Sequence, residues 1–426
     1  MRLRYFRIEF ALFLLWFVLI FGPILDVGLG PLADTSVAIA AVLSVRMAWV
    51  GIRQLDAYMV ACLMGVFVLA CVTFILLDQG AHTVAFRAII RPIRALIVYF
   101  GVVALSHYTV RILHRSDMSE MDVVLKGLFI IYLTVVLHAL IMAGQFLSPS
   151  FRNSIYSLTF AKYQFEFYQT FRMAGLSGAG GAQVSAVQGL GALIGVYLFM
   201  RRYALMTIIL TFPVLLLSVF LSGRTGLLVI FLSFMFGLQI FLFVGMKKIR
   251  VKDATKVIAG LLLLVFFVLQ FAAFLTASDY YEVVFNRTFD TILRYSETGT
   301  LQDNTIDALA QMIVLPDSII HLMFGQASYI ENNTYYDINT DIGYFRLIWA
   351  YGLVGLIFHF LFYLGFVRLS IKNSAIDVSY AYFSLAMILT IFVLNTKEIF
   401  FLTSMSFPLM SGCILLGRYM LKSRNV

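Results

Sequence analysis

The sequence predicts an all-α membrane protein, a polytopic bundle of about twelve transmembrane helices with a folded helical loop on its outer side. Three observations predict this fold class. Of the 426 residues, 62% are apolar and only 12% are charged, whereas soluble domains carry roughly 25% charged residues. Apolar runs long enough to cross about 30 Å of hydrocarbon as a helix recur along the whole chain. The connections between these runs alternate between rich and poor in Lys and Arg, as the positive-inside rule requires.

Helical spans follow from the apolar runs, taken in order along a single integral membrane domain of residues 1–426. The first run contains no small-residue cleavage site and leads directly into further spans, so we expect no cleavable signal peptide. The second span is short and carries Asp34 and Arg46 near its ends. The predicted spans are residues 8–25, 33–50, 57–77, 90–110, 123–147, 183–200, 203–221, 226–245, 256–276, 343–367, 378–395 and 400–419.

The distribution of basic residues predicts that both termini lie in the cytoplasm. The cluster from Lys247 to Lys256, between two strongly apolar spans, is the firmest anchor for this orientation. Two long segments then face outward, an outer loop at residues 148–182 and a large outer loop at residues 277–341. All other connections are short, so we expect specific recognition on these two loops and on polar residues beneath them.

Composition excludes several classes of partner and cofactor. The formal charge of +9 arises from inner connections, and no basic cluster interleaved with aromatics indicates nucleic acid. Cys62, Cys71 and Cys413 lie inside apolar runs without metal or disulfide spacing, so we expect buried thiols. No DxD motif or His and carboxylate cluster on the outer side indicates a metal. We therefore predict no metal and no other cofactor, and a lipid bilayer as the surrounding partner.

The first outer loop carries an aromatic stripe from Tyr156 to Phe171, at helical spacing. Such a stripe is typical of an interfacial helix at headgroup level, and it also suits a sugar platform or a lipid-side gate. Arg172 and a glycine-rich run follow directly. Exposed backbone N–H groups beside an Arg are a candidate anion-binding cradle; the alternative is a flexible turn with an Arg reaching to the interface.

The second outer loop begins with an amphipathic helix, because apolar residues from Tyr281 to Leu293 recur at three-and-four spacing. Arg287 and Arg294 flank Asp290 on its polar side, where they form ion pairs or bind substrate. A short helix then ends before Pro316. Asp317 or Ser318 caps a further helix, which passes through His321 and ends at Phe324-Gly325. His321 is either a satisfied histidine or a candidate base.

Two short polar motifs carry the strongest functional signals. Arg224 lies in the hairpin of residues 222–226 between two apolar spans, where glycines satisfy the turn but an Arg is not required. Its guanidinium suits a phosphate group, or it snorkels to the interface. Asp341, Tyr344 and Arg346 lie where the large loop enters the next span. Ionisable residues at this depth are costly unless they are paired, hydrated or used.

Taken together, these residues resemble the bacterial O-antigen and exopolysaccharide polymerases (Wzy-type), which are related to O-antigen ligases. The resemblance covers most of the chain as a pattern. It rests on the number of spans, Arg172 with its glycine loop, residues 221–227 around Arg224, the large loop after the ninth span, and Asp341 through Tyr344 to Gly352 and Gly355.

The resemblance implies a GT-C-like membrane glycosyltransferase of the bacterial inner membrane, with its active site facing the periplasm. Such enzymes transfer a growing glycan from undecaprenyl pyrophosphate to the next lipid-linked repeat unit. Arg172, Arg224 and one of Arg287 or Arg294 correspond to the family's implicated arginines. Ligases typically show a His where this chain has Asp341, which favours a polymerase. The family also implies a partner co-polymerase that controls chain length.

The sequence hypothesis assigns catalysis to Asp341 as first-choice base, His321 as second choice, and Arg224. Substrate binding falls to Arg172, Arg224, Arg287, Arg294, Tyr344 and Arg346. Asp26 and Asp34 in the first outer loop offer a rival base, since other GT-C enzymes carry a catalytic carboxylate there. The alternatives are an O-antigen ligase, a lipid-linked sugar flippase or other transporter, and a scaffold within an export complex.

Overall fold

The computed structural model describes residues 2–25, 34–50, 55–76, 82–114, 118–159, 173–177, 181–240, 312–327 and 340–423. Within these ranges the protein is all-helical, apart from isolated bridges that join Ile24 to Asp34 and Leu25 to Thr159. The helices are α1 (Arg2–Phe21), α2 (Thr35–Val50), α3 (Ala57–Leu76), α4 (His82–Leu113), α5 (Glu120–Leu147), α6 (Pro149–Leu158), α7 (Gly181–Met200), α8 (Leu205–Ser222), α9 (Thr225–Ile240), α10 (Ile319–Phe324), α11 (Gly343–Lys372), α12 (Val378–Leu394) and α13 (Ser406–Ser423).

Every predicted span overlaps one of these helices except the ninth, residues 256–276, which lies outside the described residues. Two boundaries differ from the prediction. Helix α4 begins at His82, before the predicted start of this span at residue 90, and it continues through Pro92. The last helix begins at Ser406 rather than near residue 400, because Leu402 has a left-handed backbone with φ 56°.

The membrane class of the protein follows from the length and composition of these helices. By those criteria six of the described helices can cross a membrane: Ala57–Ile75, Ala88–Leu113, Glu120–Leu147, Gly181–Met200, Leu205–Ser222 and the helix from Gly343. Shorter apolar helices occur at Thr35–Arg46, Thr225–Ile240 and Val378–Leu394. The chain is therefore a multi-pass helical membrane protein, while a total of twelve spans stays a prediction.

The aromatic stripe of the first outer loop does not form one continuous helix. Helix α6 ends at Leu158, and Thr159 has an extended backbone with φ −116° and ψ 159°. Tyr156 is buried and its hydroxyl accepts a hydrogen bond from the Ala174 N–H at 3.3 Å. This tyrosine therefore anchors the loop at Ala174 instead of lying at an interface. The remaining aromatics of the stripe fall outside the described residues.

Helix α13 forms the centre of the bundle, in contact with α4, α5 and α11. All of its residues from Ser406 to Gly417 are buried. Close approach depends on small residues here: a Cβ on Gly412 would lie 2.6 Å from the Trp16 ring, and one on Gly127 would lie 2.8 Å from Leu416. Small residues at such crossings are the usual means of packing helices in membranes.

Polar groups collect at the two ends of the bundle. At one end, Arg201 pairs with Asp377 at 3.1 Å, Arg418 pairs with Asp56 at 3.4 Å, and Lys126 pairs with Glu9. These residues lie on inner segments or at inner helix ends in the predicted orientation. The opposite end gathers the first residues of α2, α9 and α11 together with the α12–α13 connection, and it holds the candidate site.

Candidate functional site

An ion pair joins Asp341, just before α11, to Arg346 in the first turn of that helix. Arg346 donates from Nη2 to Asp341 Oδ1 at 2.6 Å and from Nε to the Thr340 carbonyl oxygen at 2.6 Å. Asp341 remains 47% exposed, whereas Arg346 is 22% exposed. Arg346 thus holds the Asp341 carboxylate, and its direct binding of substrate stays a prediction.

Gly343 and Tyr344 explain why the chain enters α11 at this point. A Cβ on Gly343 would lie 2.4 Å from the Glu398 carbonyl oxygen and 2.9 Å from that of Asn395. Tyr344 donates its N–H to Asn395 O at 3.3 Å and its hydroxyl to Phe392 O at 2.8 Å. Tyr344 therefore holds α11 against the end of α12, and its hydroxyl is occupied by the backbone.

This packing brings Lys397 and Glu398 beside Asp341, and sequence reasoning missed both residues. They lie on the connection between α12 and α13, outside the two long outer loops on which recognition was predicted. The signal was present, because they are the only charged residues between Asp377 and Arg418. Adjacent charges in the middle of so long an apolar stretch are costly unless they serve a purpose.

The two carboxyl groups of this cluster have raised pKa values. Burial raises the pKa of Asp341, and the positive charge of Lys397 partly opposes that rise. Burial also raises the pKa of Glu398; Lys397 opposes this rise, the negative charge of Asp341 adds to it, and Arg346 lowers it. Carboxyl groups whose pKa values move toward neutrality become better proton acceptors for a hydroxyl at the working pH.

The raised pKa of Glu398 predicts a specific pH dependence of stability. The unfolded chain titrates this group near its usual pKa of 4.5, whereas the folded chain binds the proton more tightly. The stabilising contribution of the protonated form is therefore fully present below pH 4.5 and is lost as the pH rises through the raised pKa. Glutamine cannot be protonated or deprotonated in this pH range. We therefore expect the unfolding temperature of Glu398→Gln to fall less than that of the wild type as the pH rises through the raised pKa.

The measurement is the unfolding midpoint of both proteins in detergent, from pH 4.5 to neutrality. Glu120→Gln, at the opposite end of the bundle, controls for the loss of one negative charge. Equal pH slopes in the wild type and Glu398→Gln would contradict the prediction, as would an equal change in the control.

The hairpin that carries Arg224 is clamped onto α7. Ser185 donates its hydroxyl to the Gly223 carbonyl oxygen and accepts the Gly226 N–H at 2.8 Å. A Cβ on Gly226 would lie 2.3 Å from the Ser185 carbonyl oxygen, so only glycine permits this approach. The hairpin also meets the carboxylate cluster, because Lys397 Nζ donates to Thr225 Oγ1 at 3.3 Å.

The Arg224 side chain itself is half-buried. Among the residues that the structure describes, its guanidinium has neither a carboxylate partner nor a hydrogen bond. A permanently charged group that the fold positions but does not pair is available to an anionic ligand.

The glycine-rich segment of the first outer loop is described at residues 173–177, and its first described residue contacts the end of α8, next to the same hairpin. Met173 donates its N–H to Leu221 O at 2.9 Å. Gly175 exchanges two hydrogen bonds with the Gln145 side chain, at 3.0 and 2.8 Å. It has φ 64°, and a Cβ there would lie 2.2 Å from His138 Nε2.

His138, on α5, holds the segment of residues 173–177 in place, because its Nε2 accepts a hydrogen bond from the Leu176 N–H at 3.2 Å. The ring is fully buried and stacks on Phe21 at 4.2 Å, so it has no path to a ligand and acts as a structural anchor. Three predicted arginines, Arg172, Arg287 and Arg294, lie outside the described residues, and their roles stay predictions.

His321 lies on α10, whose predicted bounds are confirmed, because Ser318 precedes the helix and Gly325 follows it. The Ser318 side chain makes no capping hydrogen bond. Its Nδ1 lies 2.6 Å from Gln326 Nε2. Within the described ranges it makes no hydrogen bond or ion pair with Asp341 or Glu398. The structure therefore offers Glu398, and not His321, as the group that accompanies Asp341.

The rival base Asp34 is almost wholly engaged, and Asp26 lies outside the described residues. Asp34 is 3% exposed. Its Oδ1 accepts from the N–H groups of Ser36 and Val37, at 2.9 and 3.3 Å, and from the Ser36 hydroxyl. Its Oδ2 pairs with Arg94. A carboxylate with these partners caps α2 and neutralises a partly buried guanidinium, so it is poorly placed to accept a substrate proton.

Arg91 connects the two parts of this end of the bundle. It donates from Nη2 to the Phe401 carbonyl oxygen at 3.3 Å, and it lies close enough to both Arg94 and Arg346 to repel them electrostatically. Five described cations and three described carboxyl groups meet here, which leaves a formal excess of two positive charges. They are Arg91, Arg94, Arg224, Arg346 and Lys397, with Asp34, Asp341 and Glu398.

Within the described ranges no three His, Cys, Asp or Glu side chains form a group that could hold a metal ion. No protein family, curated protein or solved structure matches the chain. What the fold and the site define is a class: a multi-pass helical membrane protein with a positively charged site, containing two carboxyl groups of raised pKa, at one end of its bundle.

Proposed function

We propose that the protein is a GT-C-like polysaccharide polymerase, which transfers a growing glycan from undecaprenyl pyrophosphate to an acceptor repeat unit. One observation carries the proposal: Arg224, whose guanidinium has no carboxylate partner among the described residues, directly precedes Thr225. The Thr225 hydroxyl accepts a hydrogen bond from Lys397, which lies beside Asp341 and Glu398. A polymerase of this class needs positive charge for a departing pyrophosphate and a carboxylate for an acceptor hydroxyl, next to a lipid phase that holds both isoprenoid tails.

In the proposed reaction the acceptor hydroxyl oxygen attacks the anomeric carbon of the donor sugar. The bond from that carbon to the pyrophosphate oxygen breaks, and the pyrophosphate leaves with the electron pair. Asp341, which keeps one carboxylate oxygen beyond its bond to Arg346, takes the proton of the hydroxyl. Arg224 and Lys397 stabilise the charge that develops on the leaving group.

Glu398 and Arg346 act on Asp341 rather than on substrate. Arg346 holds the carboxylate in one orientation through two hydrogen bonds. The negative charge of Glu398 repels that of Asp341, which favours protonation of one of the two groups. The pair then accepts the hydroxyl proton more readily than an isolated, solvated carboxylate.

The proposal places this site at the periplasmic face of the bacterial inner membrane, with both termini in the cytoplasm. The positive-inside rule supports that orientation, because Arg201 and the basic end of α13 lie at the opposite end of the bundle. A chain-length-regulating co-polymerase is the partner that the resemblance implies.

The deciding experiment supplies undecaprenyl-pyrophosphate-linked repeat units to the purified protein in liposomes and resolves the products by gel electrophoresis. A ladder of increasing glycan length establishes a polymerase. A single transfer onto lipid A core indicates a ligase. If no glycan grows but the protein flips the lipid-linked sugar across the membrane, it is a transporter. If the protein shows neither activity, the remaining alternative is a scaffold.

We expect the reaction to be independent of metal ions. Many nucleotide-sugar enzymes use a divalent ion to stabilise the leaving group, and cationic side chains of this protein take that role in the proposed mechanism. We expect EDTA to leave the rate of ladder formation unchanged. The control is a metal-dependent glycosyltransferase assayed in the same buffer, which EDTA must inhibit. Loss of the ladder in EDTA, with recovery on adding Mg²⁺ or Mn²⁺, would contradict the prediction.

A further inference from the structure

A cavity of about 200 Å³ opens beside the Arg94–Asp34 pair. It lies between the end of α1, the start of α2, α4, the start of α7 and the α12–α13 connection. At about 30 Å³ per molecule it has room for six or seven waters. It is smaller than the pockets of roughly 300–1,000 Å³ that enclose drug-sized ligands. It therefore has room for a ligand of about one six-membered ring and no more.

The walls of this cavity hold polar groups with unused hydrogen-bonding capacity. Arg94 Nε is buried and has no hydrogen-bond partner within the part of the chain that the structure describes, although the same guanidinium pairs with Asp34 through Nη2. Gln183 and Ser404 also line the cavity. Among the described residues their side chains form no hydrogen bonds. Buried donors are almost always satisfied, so Arg94 Nε calls for a ligand or ordered water that supplies an acceptor. Gln183 and Ser404 are half-buried and are available to the same ligand.

The charge balance of the cavity favours a neutral ligand over an anion. Asp34 neutralises Arg94, which is the only charged residue among the described residues that line the cavity, and Arg224 and Lys397 are not part of that lining. A hydroxyl group accepts from Arg94 Nε–H and from the Gln183 amide, and it donates to the amide oxygen or to Ser404. A phosphate would bring a negative charge beside the Asp34 carboxylate.

Apolar walls complete the match to a sugar. Ile20, Ile24 and Met405 line the same cavity. Equatorial hydroxyls of a pyranose meet the polar groups while its C–H faces meet these side chains. A mixture of convergent polar groups and apolar walls is the usual composition of a small-molecule site.

We propose that this cavity is a subsite for one neutral sugar ring of the lipid-linked glycan. The inference rests on the proposed function for the identity of the glycan. The connection between α12 and α13 carries Glu398 at one end and Ser404 at the other, so the subsite lies one short segment away from the reacting groups. A ring held here positions its neighbour at Asp341 and selects which repeat unit reacts.

The test is saturation-transfer NMR on the full chain in nanodiscs, with glucose, galactose, mannose, rhamnose and N-acetylglucosamine as probes. Ser404→Phe fills the cavity, and Gln183→Leu removes the amide at constant size. Gln239→Leu makes the same change on the exposed face of α9 and is the matched control. Inorganic phosphate is added as a competitor.

We expect at least one of the sugars to bind the wild type and the Gln239→Leu variant alike. Ser404→Phe abolishes that binding, and Gln183→Leu weakens it about fivefold, as expected for one lost hydrogen bond. Phosphate does not compete. The inference is overturned if no sugar binds the wild type, if phosphate displaces the sugar, or if Gln183→Leu binds as well as the control.

The outcome is separable from that of the proposed function. Sugar binding that depends on Gln183, in a protein that forms no glycan ladder, retains the subsite and rejects the polymerase. A ladder from a protein whose sugar binding is unaffected by Gln183→Leu rejects the subsite alone. If Ser404→Phe does not fold, the comparison of Gln183→Leu with Gln239→Leu decides the matter.

Discussion

Replacing Gly352 with alanine is expected to destabilise the protein by about 3–5 kcal/mol. Gly352 interrupts α11 with φ 68° and ψ −176°, a conformation that is essentially restricted to glycine. A Cβ there would lie 2.2 Å from the Met323 carbonyl oxygen. Because that atom belongs to the backbone, the segment of residues 312–327 would have to move away.

That segment is bound to the break in α11. Gln326 and Ala327 donate their N–H groups to the carbonyl oxygens of Trp349 and Ala350, at 2.7 and 3.1 Å. A break at Gly352 takes such carbonyls out of the helical ladder, and in a membrane protein other donors must then satisfy them. Displacing the segment therefore loses these hydrogen bonds in addition to straining the backbone.

The free energy of unfolding in a detergent and SDS titration measures this effect. Gly144→Ala is the matched control: Gly144 is helical, and the nearest atoms to its Cβ are those of the Phe151 ring, at 3.2 and 3.4 Å. Alanine at such a site gains up to about 1 kcal/mol in helix propensity. Similar losses in both variants would show that the break at Gly352 is not what stabilises the fold.

The sequence predicted the helices well because apolar length alone decides whether a segment can cross a bilayer. It also predicted the helix after Ser318, since the cap and the terminal glycine are local signals. It did not predict the end of α6 at Leu158. There the contact between Tyr156 and Ala174, which are distant in sequence, determines the local structure, and spacing carries no information about such contacts.

The candidate site divides in the same way. Arg224 and Asp341 were visible because a charge beside a glycine turn or a helix start is locally unusual. Their surroundings were not visible, because Gly343 allows Glu398 to approach only when two segments more than fifty residues apart pack together. The engagement of Asp34, which the sequence offered as a rival base, was hidden for the same reason: its partner Arg94 lies on another helix.

The second large effect expected is the loss of catalysis in Arg224→Ala without loss of the fold. Removing one group that stabilises a developing negative charge typically lowers kcat by about 100-fold to 1,000-fold. Among the described residues the half-buried guanidinium forms no hydrogen bond or ion pair, so its removal breaks no polar interaction there. Substitutions of this kind usually change stability by less than about 0.5 kcal/mol.

Arg224→Lys separates charge from geometry, because lysine keeps the positive charge but cannot bind a phosphate through two parallel hydrogen bonds. We expect it to restore part of the rate of ladder formation. Arg368→Ala is the control: Arg368 is exposed near the far end of α11 and should leave both rate and stability unchanged. An Arg224→Ala variant that folds and polymerises at the wild-type rate would remove the cation on which the proposed mechanism depends. A variant that loses both fold and activity would instead assign Arg224 to structure and would contradict the prediction.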